Sequence, residues 1–156
     1  MELTAGSDPS EAIGAMDDLI ATSIVGQQEF ARKLGVGVTD LVCFAYVLAA
    51  GEEPVTAGDL AVRAHVTTGA VTGIINRLER GGFVTRQPDP ADRRRVRVVA
   101  VPEATERVTA IYGPYYARLA ELFAQYTPEQ TAVLTDWFRR AGALARDYLD
   151  ESGAEK

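Results

Sequence analysis

The sequence predicts a mainly α-helical protein with one small β-hairpin and a long helix at each end. Three observations carry this. Apolar residues recur at helical spacing along most of the chain, as in Val71, Ile74, Ile75 and Leu78. One stretch alone turns to β-branched alternation or clusters: Phe83 to Gln87 and Arg95 to Val101, around the turn-forming PDPADRR. The apolar stripes before Gly35 and after Pro102 are long for a small domain.

Bulk properties set the outer limits. A chain of 156 residues fits one domain with a real core. One unit is expected over residues 10–150, between a disordered tail at 1–9 and a frayed end at 151–156. The longest apolar run, Leu41 to Ala50, is too short to cross a bilayer. The acidic start MELTAGSDPSEAIGAMDD lacks the basic region of a secretory signal, so a cytoplasmic location is expected. A single cysteine and a single histidine support neither a disulfide framework nor an ordinary zinc site, and no cofactor is expected.

The elements follow in order. Ser10 is the expected cap of the first helix, whose stripe includes Ile13, Met16, Ile20, Phe30 and Leu34. Such a stripe packs either on another chain or on its own core. Gly35 and Gly37 end this helix. The next, starting at Val38 or Thr39, is apolar nearly all round and so is expected to be buried. Cys43 lies within it and reads as inert packing. Glu52-Glu53-Pro54 reads as a turn. Thr56 and Asp59 then resemble a capping box for a short third helix. His65 reads as a turn residue and Thr67 as the cap of the fourth helix. Gly81-Gly82 stops that helix. Pro102 is placed to open a fifth helix, with Gly113-Pro114 in its middle expected to kink it. Thr127 and Pro128 start the last, which carries Val133, Trp137, Leu144 and Tyr148.

Two short helices with a tight turn, followed by a hairpin, make a winged helix-turn-helix over 38–101. Thr68, Gly69, Thr72, Gly73, Asn76 and Arg77 share the face of the fourth helix opposite its apolar stripe. The net charge of −6 argues against coating nucleic acid by charge alone. Its distribution matters more. Arg77, Arg80, Arg86, Arg93, Arg94, Arg95 and Arg97 crowd one short stretch, opposed only by Glu79, Asp89 and Asp92. A slim polar helix beside an arginine-tipped hairpin suits a duplex held at two grooves, although arginine-rich hairpins are also often plain solvated surface.

With these motifs the chain resembles the MarR family of bacterial transcriptional regulators. The likeness covers nearly everything after Ser10. Thr67 to Arg77 matches the recognition helix, Leu78-Glu79-Arg80 and Gly82-Phe83-Val84 the junction, and Asp92-Arg93-Arg94 the Asp-x-Arg wing signature. The resemblance implies a homodimer on a pseudo-palindromic operator in double-stranded DNA, with helices 10–36 and 103–150 interlocking with their copies. Ile13, Met16, Ile20, Val133, Trp137, Leu144 and Tyr148 are the interface candidates. Thr67, Thr68, Gly69, Thr72, Gly73, Asn76 and Arg77 would face the major groove, and Arg86, Arg93, Arg94 and Arg95 would serve the wing, with Asp92 holding its shape. The family often has a long polar residue where Gly73 stands, so base readout falls on Thr68, Thr72, Asn76 and Arg77. A small aromatic effector is implied as well, with Tyr46, Tyr112, Tyr115 and Tyr116 as candidate lining or, equally, ordinary packing.

Two other functions compete. A helix-turn-helix that only dimerises or contacts proteins has no need of four arginines between Arg93 and Arg97. An enzyme would need a phosphate loop, a nucleophile with its base or a metal cluster, and the sequence offers none of these.

Overall fold

The computed structural model describes residues 8–51, 53 and 55–154. The order is α1 (Pro9–Leu34), α2 (Val38–Ala50), α3 (Ala57–Arg63), α4 (Thr68–Arg80), β1 (Val84–Pro88), β2 (Val96–Ala100), α5 (Pro102–Phe123) and α6 (Pro128–Ala154). The fold class is the expected one, mainly helical with a two-stranded antiparallel hairpin. The chain forms two compact units, one running to Gly113 and one starting at Pro114. No linker marks that boundary, because α5 continues through it as an unbroken helix, Pro114 included. Proline has no N–H, so the Ala110 carbonyl loses only its one intrahelical donor.

The first unit begins earlier than the sequence suggests. The cap of α1 is Asp8, whose carboxylate accepts the Ser10 N–H at 3.2 Å, and Pro9 already lies in the helix. Ser10 is therefore not the cap, and the expected tail through residue 9 is shorter by two. The carboxylate satisfies an exposed donor, and proline at the first position needs none. Residues 1–7 of that tail lie outside the described residues. Gly35, at φ 71, ends α1 with its N–H on the Ala31 and Arg32 carbonyls. Of the turn expected at 52–54, Glu52 and Pro54 lie outside the described residues. Glu53 donates its N–H to the Ala50 carbonyl at 3.0 Å.

The core gathers around α4. Val71, Ile74, Ile75 and Leu78 are all buried and pack with Cys43, Phe44 and Val47 of α2, Leu60 and Ala61 of α3, and Phe83, Val84, Val98 and Ala104. Phe44 meets Phe83 edge-on at 5.3 Å. Only part of α2 is buried, since Val42, Ala45 and Ala49 stay exposed. Burial pushes the Cys43 thiol up from its ordinary range, so it stays a protonated packing group.

The hairpin pairs Val84 with Ala100, Arg86 with Val98 and Pro88 with Val96. It is not alone. Val98 donates its N–H to the Val55 carbonyl at 2.7 Å, and Thr56 bridges Arg97. The segment leading into α3 thus adds a short third rung beside β2, which the sequence reading did not foresee.

In the second unit, Thr127 caps α6 as expected. Its hydroxyl accepts the Gln130 N–H at 3.3 Å, and Gln130 accepts the Thr127 N–H at 2.9 Å. The helix runs to Ala154, past the fraying expected at 151, with the Ser152 hydroxyl on the Tyr148 carbonyl at 2.8 Å. Glu155 and Lys156 lie outside the described residues. Val133, Trp137, Leu144 and Tyr148 are exposed on α6, as Ile13 and Ile20 are on α1, while Met16 is half-buried. No single helix among the described residues is both long and apolar enough to cross a membrane.

Leu78 is fully buried. Its replacement by alanine should cost roughly 2–5 kcal/mol of stability, from lost transfer energy plus a cavity. Urea denaturation at fixed protein concentration checks this, and a loss near zero would contradict the packing described.

Candidate nucleic-acid interface

Local chemistry sets the two helices of the motif. Thr56 and Asp59 form a reciprocal capping box at α3, with the Thr56 N–H on Asp59 Oδ2 at 2.8 Å and the Asp59 N–H on Thr56 Oγ1 at 3.2 Å. The Thr56 hydroxyl and N–H hold the Asp59 carboxyl below its usual range. His65 takes φ 50, the one positive φ outside glycine among the described residues, so it is the turn residue the sequence suggests. Thr67 then caps α4 by accepting the Ala70 N–H at 3.1 Å.

With its stripe buried, α4 turns Thr67, Thr68, Gly69, Thr72, Asn76 and Arg77 outward, with Gly73 half-buried among them. Ala70 shares the exposed surface and was passed over in the sequence reading. The Thr72 hydroxyl donates to the Thr68 carbonyl at 3.0 Å, which leaves its methyl and lone pairs outward. A Cβ at Gly69 would meet nothing within 4 Å, and one at Gly73 only Arg77 Nη1 at 3.5 Å. Packing therefore demands neither glycine, although each costs the helix about 1 kcal/mol relative to alanine.

The longer side chains of this face are largely engaged within the protein. Arg77 forks onto Asp40 of α2, Nε to Oδ2 at 2.9 Å and Nη2 to Oδ1 at 2.6 Å. Asp40 is buried and Arg77 about half exposed. The pairing raises the Arg77 pKa further, chiefly through the hydrogen bonds to Asp40. The arginine assigned by sequence to base contact thus clamps α4 to α2. Arg86 on β1 reaches back to α4. Its Nη1 pairs with Glu79, its Nη2 donates to Asn76 Oδ1 at 2.7 Å, and its backbone N–H donates to Glu79 Oε1 at 3.3 Å. The helix end is held from the other side by Arg107 of α5, which donates to the Gly81 and Gly82 carbonyls at 3.3 and 3.2 Å and lies 4.5 Å over the Phe83 ring. Gly82 takes the left-handed φ of 67; Gly81 does not.

Two aspartates shape the hairpin tip. Asp92 accepts the Arg94 N–H on Oδ1 at 3.0 Å and the Arg95 N–H on its carbonyl at 2.9 Å. Asp89, buried, accepts the Ala91 N–H at 2.9 Å and gives its own N–H to the Arg95 carbonyl. The sequence assigned this work to Asp92 alone. Arg93, Arg94 and Arg95 stand exposed on the resulting turn. Arg97 leans across the strands to Gln87 Oε1 at 3.0 Å.

The four candidate tyrosines fall two in each unit. Tyr46 packs against the core, and Tyr112 donates its hydroxyl to Gln27 Oε1 at 2.9 Å with its ring 4.1 Å from Phe30. Tyr115 and Tyr116 are exposed and belong to the other unit. A cavity of about 580 Å³ has other walls, among them Val36, Asp40, Arg77, Arg80 and Arg107, and a second of about 470 Å³ lies along Leu19 to Gln28 of α1.

A model of the MarR family matches residues 34–95. The chain is similar to YcgE of Bacillus subtilis, an uncharacterized HTH-type transcriptional regulator, at 30% identity over 82% of each chain. It is similar to an uncharacterized HTH-type transcriptional regulator of Mycobacterium bovis, at 33% identity over 92% of this chain and 97% of that one. Among solved structures, FabT of Streptococcus pneumoniae in complex with DNA superposes with a TM-score of 0.68 at 18% identity, over 90% of this chain and 99% of that one.

Arg77→Ala should lower the melting temperature more than Asp40→Ala does. The first substitution strands a buried carboxylate, and the second frees a guanidinium that water already reaches. Equal losses in differential scanning fluorimetry would refute the clamp.

Proposed function

Because this chain belongs to the MarR family of transcriptional regulators, we propose that it is a homodimer that binds a pseudo-palindromic operator in double-stranded DNA and represses transcription by occupying it. The observation that carries the reading is the bareness of α4. Gly69 and Gly73 cost helix stability and answer no packing need, yet they lie on its outward side beside a hairpin tipped with three exposed arginines. Such a helix can approach base edges closely, while the arginines meet phosphates or a narrow minor groove. Thr68, Thr72 and Asn76 are the base-facing candidates, and Arg93, Arg94 and Arg95 the wing contacts. Arg77 braces that surface at its flank, through Asp40.

The dimer rests on the exposed apolar residues of the two end helices. Ile13 and Ile20 on α1, and Val133, Trp137, Leu144 and Tyr148 on α6, are at least half exposed or close to it. A second copy would remove this surface from water. Release by a small aromatic effector is the finer part of the proposal. Tyr46 and Tyr112 are its candidates in the unit that carries the winged motif, Tyr115 and Tyr116 in the other. A dimerisation or protein-contact module would leave the arginine tip without a role.

The test is binding of the purified protein to genomic fragments at low ionic strength, with retained fragments sequenced. One motif with two-fold symmetry is expected, and binding without any preference would overturn the reading. Arg94→Ala should weaken operator binding and lower the slope of log K against log salt by about 1. Light scattering should still give a dimer, because the tip supports neither core nor interface. Gly69→Ala should stabilise the fold by roughly 0.5–1 kcal/mol, and weaken operator binding in the same preparation. Unchanged binding would mean that nothing approaches α4 closely.

A further inference from the structure

We propose that Arg86 is a positioning residue. It fixes the Asn76 carboxamide so that Asn76 offers the duplex only hydrogen-bond donors, and the base selected there is guanine, whose major-groove edge carries two acceptors. This rests on the DNA-reading function proposed above and deepens it.

The geometry is local and closed. Asn76 and Glu79 sit three residues apart on α4 and so share one side of the helix. Arg86 lies across from them on β1 and meets both, Nη2 with Asn76 Oδ1 at 2.7 Å and Nη1 with the Glu79 carboxylate. Its backbone N–H also donates to Glu79 Oε1 at 3.3 Å, so the strand itself is pinned to the helix. A guanidinium is planar and has only donors. Two acceptors on one helix face therefore fix the plane of the fork. The atom of Asn76 that meets it must be the oxygen, which settles the orientation of the carboxamide by chemistry alone. The nitrogen, with two donors, is turned away from the hairpin on an exposed residue.

Two consequences follow. Arg86 is a poor phosphate clamp, because leaving its place would abandon the Glu79 carboxylate beside a polyanion. Its side chain is also only 33% exposed, unlike the arginines of the tip. Pairing of asparagine with adenine in the usual way needs the oxygen to accept from N6 while the nitrogen donates to N7. With the oxygen held by Arg86, the two N–H groups of the amide nitrogen suit guanine, whose O6 and N7 both accept. Gly73, one turn before Asn76, leaves the approach to that base open.

The experiment compares wild type, Asn76→Ala and Arg86→Met on a duplex library randomised across the operator. Asn76→Ala identifies the base pair that Asn76 reads. A G·C pair is expected there, and an A·T pair would overturn the proposal. Arg86→Met should cut discrimination at that same pair by about tenfold, within the range one side-chain contact supplies, while the salt slope keeps its value. A slope smaller by about 1 with the base preference intact would make Arg86 a phosphate contact instead. In the free protein, the Asn76 side-chain amide resonances should shift in Arg86→Met; unshifted resonances would remove the strap itself. A wild type with no duplex preference, but with the resonance shift present, would fell the DNA-reading function and leave the strap standing.

Discussion

Burial of one apolar stripe governs this molecule. Val71, Ile74, Ile75 and Leu78 leave water together, against α2, α3 and the base of the hairpin. At a few kcal/mol for each large side chain, no surface interaction in the chain competes with that. Once the stripe is seated, the rotation of α4 about its axis is set, and so is the identity of every residue on its outward side. The glycines, threonines and asparagine are displayed because their neighbours in sequence are hidden.

A helix oriented by hydrophobic burial can still rock and slide, and three arginines restrict this. Arg77 ties its outer flank to α2, Arg86 ties it to β1, and Arg107 holds the carbonyls after its last turn. Arg77 and Arg86 each use two nitrogens of a planar group, which constrains orientation as well as distance. The cations of the 77–107 region thus divide into two sets. Arg77, Arg80, Arg86, Arg97 and Arg107 are engaged with carboxylates, side-chain amides and backbone oxygens, whereas Arg93, Arg94 and Arg95 stand at the tip. A count of arginines in sequence cannot make that distinction.

What was legible in the sequence was local. The stripe of α4, the capping box at Thr56 and Asp59, the cap at Thr67 and the left-handed turn at His65 each depend on residues within seven positions of one another. They appear where periodicity and cap chemistry put them. What escaped was non-local or depended on burial. Asp40 looks like any first-turn acid until its partner 37 residues away is known. Asp89 looks like a solvated turn residue, yet it is buried and holds the tip with Asp92. The rung from Val55 to Val98 is too short to show an alternating pattern. The start of α1 was misplaced by two residues, because Asp8 and Ser10 are both good caps and only the position of Pro9 decides between them. The division at Gly113 falls at the Gly113-Pro114 pair that interrupts the helical pattern in the sequence, although the helix itself continues through it.

Arg107 has a mechanical consequence. It is rooted near the beginning of α5, while its guanidinium rests on the two carbonyls that follow α4 and on the face of Phe83. Tilting or drawing back the start of α5 must therefore either drag the C-terminal end of α4 along or break both bonds and unstack the ring. A pull on the start of that shaft acts, through Arg107 and the buried Ala104, on how the end of α4 is seated.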